Sequence, residues 1–168
     1  MKSVRIAAAA LSLASLGLAA CQQEAAGPTQ EASSAATPEA PDAPAGIALA
    51  NGRLVLPAVK GNPGAVYFDI ANKSEGDATI VGVHVDGAAM AMMHQTMKTD
   101  GVNSMKDLSE LVVPKGGSAG FKPGENHIMA MDLDDTLQPG TSTDITLTFA
   151  NGDKATFTAE VLAAGDAR

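Results

Sequence analysis

The sequence predicts an all-β domain, a Greek-key β-sandwich of eight or nine short strands. Three observations predict it. Short apolar runs alternate with period two, as a strand with one buried face requires. Turn signals rich in Gly, Pro and Asn separate these runs. No window carries the apolar spacing of an amphipathic helix of ordinary length.

In chain order, the first candidate strand is Leu54–Val59, closed by the turn Gly61-Asn62-Pro63-Gly64. Ala65–Ala71, Thr79–Val85 and Met90–Lys98 follow, and the hairpin signal Asp100-Gly101 leads into Val102–Leu108. Pro114-Lys115-Gly116-Gly117 opens Gly117–Phe121, and Pro123-Gly124 precedes His127–Leu133. After Pro139-Gly140 the alternation is clearest. Ile145, Leu147 and Phe149 would face Ala155, Phe157, Ala159 and Val161 across Asn151-Gly152, a strong hairpin signal.

Ahead of this domain lie two segments of other kinds. Lys2 and Arg5 precede a 15-residue apolar run, Ile6 to Ala20. That run is shorter than the roughly 20 residues a membrane-spanning helix needs, so residues 1–20 read as a secretory signal peptide. Leu18-Ala19-Ala20-Cys21 resembles the bacterial lipobox, which implies a lipid attached at Cys21. Several acyl chains, at about 0.8 kcal/mol per buried CH₂, give a stable anchor. Gln22 is not acidic, so the expected destination is the periplasm-facing side of the outer membrane. Residues 21–46, rich in Ala, Pro and Glu, read as a disordered tether. The domain proper is expected at 47–164, with a short tail at 165–168.

Composition excludes several functions. The net charge is -8, with 19 acidic and 11 basic residues, and no cationic cluster suits a phosphate backbone, so no nucleic acid is expected. Four Phe, one Tyr and no Trp are few for stacking on bases or sugars.

The chemistry lies in one region. Every methionine after Met1 falls between positions 90 and 131, together with His94 and His127. A two-residue loop at Asp100-Gly101 would set Thr99 opposite Val102, Thr96 opposite Met105 and His94 opposite Asp107. His94 and Met105 then share a face as diagonal neighbours, about 7–8 Å apart and within reach of long side chains. His127 and Met129, two apart on one strand, also share a face. Two imidazoles and two thioethers can thus converge. Met90 and Met92 share the face of His94, and Met131 that of Met129. Met93 and Met97 fall on the other face and are expected in the core, while His84 is expected to point to solvent or to form a hydrogen bond.

Thioether sulfur is soft and selects Cu(I), and imidazole tolerates it. Zinc would want thiolates or a third His, and calcium convergent carboxylates. A blue-copper electron-transfer site needs a thiolate, but Cys21, the only cysteine, is assigned to the lipid. Cu(I) fully ligated by neutral donors leaves no open position for catalysis, so no catalytic residue is expected and the protein reads as a non-enzyme.

His94, ten residues, Met105, twenty-one residues, then His127-Ile128-Met129 resembles the signature of the PCu(A)C-type periplasmic copper chaperones. Gly64-Ala65-Val66-Tyr67, Lys122-Pro123-Gly124 and Leu147-Thr148-Phe149-Ala150-Asn151-Gly152 resemble the surrounding family text. The resemblance implies a cupredoxin-like sandwich holding Cu(I) near solvent through His94, Met105, His127 and Met129. It also implies delivery of copper towards cytochrome c oxidase, with oxidase subunit II or a Sco-type protein as recipient. Asn103 stands where the family more often carries Met, and the tail has no His or Met for a second, Cu(II) site. Two further readings stay open: a copper-buffering or tolerance lipoprotein without a dedicated recipient, and a lipid-anchored interaction module with a methionine-rich core.

Overall fold

The computed structural model describes residues 43–99 and 101–166. The expected signal peptide, Cys21 and most of the tether lie outside these residues. Ten strands and no helix occur among the described residues: β1 (Ile47–Val55), β2 (Gly64–Asn72), β3 (Ala78–Val85), β4 (Ala88–Thr99), β5 (Val102–Asp107), β6 (Leu111–Val113), β7 (Ser118–Phe121), β8 (Asn126–Leu133), β9 (Ser142–Phe149) and β10 (Lys154–Leu162). All-β is therefore right, and the count exceeds the eight or nine expected.

Hydrogen bonding joins the strands in the order β5-β4-β8-β7-β2-β1-β10-β9-β3-β6, with β2 also reaching β8. Most neighbours are antiparallel, while β1 runs parallel to β10 and β7 to β8. The sheet closes on itself as a sandwich, for β3 comes back against β4 and β6 against β2.

The core is built from the alternating faces. Val66, Phe68 and Ile70 of β2 point inward with Phe121, Ile128, Ile145, Leu147 and Val161, all essentially inaccessible. Phe68 and Phe121 are register partners, and their rings stack with centroids 4.3 Å apart. Each such side chain contributes about 1.5–3 kcal/mol through burial. The β9–β10 hairpin forms as its alternation predicts, with Leu147 opposite Ala155 and Ile145 opposite Phe157.

Two elements differ from expectation. β1 begins at Ile47 rather than Leu54, running on through a bulge at Asn51-Gly52. Pairing with β2 slips between Ala50 and Arg53, and Asn51 takes a φ of 57°, a conformation Asn tolerates better than most residues. β6 was not expected, since three residues carry too little alternation to read.

Candidate metal centre

β4 is the longest strand and pairs on both sides, with β5 and with β8. Its register with β5 matches the one expected: Thr99 opposite Val102, Thr96 opposite Met105, His94 opposite Asp107. Gly101 in the turn has a φ of 82°, which glycine adopts without a Cβ clash.

The second pairing completes the arrangement. His94 lies directly opposite His127, Met92 opposite Met129 and Met90 opposite Met131. Met93, 5 % exposed, and its partner Ile128 occupy the reverse, core-facing side. Alternation thus gives one strand pair an apolar face and a face of imidazoles and thioethers. Asp107, His94 and His127 form one rung across β5, β4 and β8. Directly opposed residues have Cβ atoms about 4.5–5.5 Å apart, and the two imidazole centroids are 5.9 Å apart with planes at 44°.

Both rings are buried, His94 at 9 % and His127 at 8 % exposure. The His127 Nδ1 lies 3.2 Å from the Glu125 carbonyl oxygen. A carbonyl can only accept, so this bond requires Nδ1–H and leaves the Nε2 lone pair for a metal. His94 is different. Neither Nδ1 nor Nε2, both buried, has a hydrogen-bond partner among the described residues. The Asp107 carboxylate stands 3.5 Å from Nε2, too far to serve as a good hydrogen bond, and its own side chain is largely in solvent. Leaving such a group unsatisfied costs about 1–3 kcal/mol. An imidazole with both nitrogens free of partners, on a face lined by thioethers, fits a soft metal ion.

Three of the four expected residues, His94, His127 and Met129, fall on two successive rungs of β4 and β8. Met105 lies diagonally from His94 on β5 and is 66 % exposed. Met92, directly across from Met129, is as close in register to the histidines as Met129 is; its sequence placed it on this face but not on this rung. Among the described residues no three His, Cys, Asp or Glu side chains converge on a metal position.

Two other expectations resolve here. His84 is exposed and its Nε2 lies 3.0 Å from Asp86, as expected. Met97 is not core: it is exposed because β8 pairs with β4 only as far as Gln95, and no described strand packs over it at the outer end of the β4–β5 hairpin.

Fold and site define a β-sandwich of cupredoxin type with a His/Met face at one edge. A family model described as "Putative lipoprotein LpqE-like" matches residues 47–161, and the chain belongs to that family. It is 32 % identical over 89 residues to "Putative lipoprotein Lxx21020" of Leifsonia xyli subsp. xyli, covering 52 % of this chain and 54 % of that protein. The chain thus spans about half the length of the curated relative it matches. Among solved structures, the copper-bound PCuAC domain from PmoF2 aligns with TM-score 0.60 and 18 % identity, over 72 % of this chain and 96 % of its own. The Cu(I) form of DR1885 from Deinococcus radiodurans aligns with TM-score 0.58 and 24 % identity, over 83 % and 89 %. The resemblance to PCu(A)C-type proteins read from the sequence is met in the fold.

Proposed function

We propose that this protein is an exported copper chaperone, anchored by lipid at Cys21, which holds one Cu(I) through His94, Met105, His127 and Met129. The observation that carries the reading is the His94–His127 pair, buried and directly opposed on a face otherwise lined by methionine, with both ring nitrogens of His94 unsatisfied among the described residues. Copper in the aligned PCuAC domain and in DR1885 supports it. In this reading the ion is cargo and the chain has no catalytic role.

The unequal exposure of the donors suggests an order of release. Met105, on the edge strand and mostly in solvent, is reached first by an incoming thiolate. The buried imidazoles let go last. Neutral donors leave the bound ion its positive charge, which favours transfer to an anionic sulfur ligand. The proposed recipient is a copper-accepting protein of the cytochrome c oxidase assembly route, subunit II or a Sco-type protein, reached from the periplasmic face of the outer membrane.

The test is Cu(I) titration against a competing chelator, followed by mixing loaded protein with an apo oxidase copper-binding domain. One equivalent bound and then transferred supports the proposal. Binding without transfer points to buffering instead, and no binding removes copper from the account altogether.

A further inference from the structure

We propose that Met90, Met92 and Met131 form a second site for a soft monovalent ion, separate from the four-ligand site and weaker than it. The observation is the composition of one surface. Going down the strand pair from the His94–His127 rung, the next outward rung is Met92–Met129 and the one after it Met90–Met131. Four successive outward positions are methionine. The reverse face of the same strands uses Ala91, Met93, Ile128 and Ala130, the mixture expected of ordinary packing.

Core filling does not account for the outward set. Met90 is 53 % and Met92 37 % exposed, so much of their apolar surface gains nothing from burial. A patch made only to be sticky could equally be Leu, Val or Phe, and none of these occupies the four positions. What methionine alone among them provides is a thioether lone pair. Met90 and Met131 are directly opposed, a Cβ separation of about 4.5–5.5 Å, and Met92 is the next outward residue on the same strand. Three flexible side chains can therefore bring sulfur to a common point without moving the backbone. With no imidazole at hand, the site would hold its ion less tightly than the histidine rung. The Met92–Met129 rung supplies one residue to each site and makes them neighbours along one ladder.

The site does not require the four-ligand assignment, and one experiment reads both. Ag(I), a closed-shell substitute for Cu(I), is titrated into the full chain carrying ¹³C-methyl methionine, with methyl and imidazole resonances followed together. The expected result is two equivalents bound. The first moves the ring signals of His94 and His127, and the second moves the methyls of Met90 and Met131. The double variant Met90→Leu/Met131→Leu should bind one equivalent and keep the imidazole response, Leu preserving volume at sites that are at least partly exposed. Conversely, His94→Ala/His127→Ala should keep the Met90 and Met131 shifts. Saturation at one equivalent in the unmodified protein would overturn the second site. So would Met90 and Met131 signals that move with the first equivalent, alongside the histidines, or that never move. Loss of the imidazole response alone would instead strike the four-ligand proposal and leave this one standing.

Discussion

His94 faces His127 across β4 and β8 with ring centroids 5.9 Å apart, and neither nitrogen of His94 is hydrogen-bonded to a described residue. A buried polar group left in this state costs folding free energy. Stability and metal binding should therefore pull in opposite directions at this position. His94→Leu is expected to stabilise the metal-free protein by about 1 kcal/mol while abolishing tight Cu(I) binding. Urea denaturation of the apo form measures the first effect. A loss of about 2 kcal/mol instead would mean that this imidazole is a satisfied structural group.

The two thioethers should differ from the imidazoles in their response to acid. Imidazole must be neutral to bind, so protons compete with Cu(I) at His94 and His127, whereas methionine sulfur carries no proton. Affinity is expected to fall as pH falls. His94→Ala or His127→Ala should flatten that dependence, while Met105→Leu and Met129→Leu lower affinity and keep the slope. Chelator competition at several pH values settles the matter: histidine variants with the unmodified slope are incompatible with ligation by these rings.

Among single variants, His127→Ala should cost the most affinity, more than the roughly 10–100-fold typical of losing a ligand's hydrogen-bond partner. Its Nδ1 is already committed to Glu125, which fixes the ring. Met105→Leu should cost less equilibrium affinity but change the rate of transfer to a thiol acceptor. Stopped-flow transfer kinetics separate the two effects, and an unchanged rate would remove Met105 from the exit route.

Cys21→Ala should release the protein from membranes and leave Cu(I) affinity unaltered, because the proposed anchor and the metal centre occupy different segments. Fractionation of cells and mass spectrometry of the native N-terminal peptide provide the check. An unmodified Cys21 thiol on the mature protein would end the lipoprotein reading of this cysteine.

A backbone prediction stands apart from the metal. Asp132, next to Met131, has a φ of 50°, where a Cβ is crowded and Asp is among the few side chains tolerated. Asp132→Val should destabilise by about 1–2 kcal/mol, and Asp132→Gly should be close to neutral. Equal midpoints for both variants in denaturant would show that the local conformation is not held.

The β4–β5 register was legible in the sequence because a two-residue loop leaves only one way to align its flanks. His94 opposite Asp107 and Thr96 opposite Met105 follow from counting. The β4–β8 register was not legible. More than twenty residues separate these strands, and no turn fixes their offset, so His94 meeting His127 and Met92 meeting Met129 had to come from packing. The Glu125 carbonyl that orients His127 was hidden for a similar reason, since a main-chain acceptor leaves no mark in side-chain identity. Met97 was misplaced because alternation tells which face a residue takes and not whether anything covers that face. Asn51-Gly52 and Asn151-Gly152 show the same limit: one dipeptide makes a bulge within β1 where it pairs with β2, and the other the turn between β9 and β10.

Met93, Ile128 and Ala130 are buried on the reverse of the strands that carry the imidazoles, so the alignment of those strands is set by apolar packing and needs no ion. The proposed carrier is therefore expected to keep nearly the same outline whether laden or spent. A recipient of the proposed carrier would then have little shape to judge by, and the spent form would compete with the laden one for the same berth. Throughput would depend on the ratio of the two forms as much as on the speed of ligand exchange, and an excess of spent carrier would act as its own inhibitor.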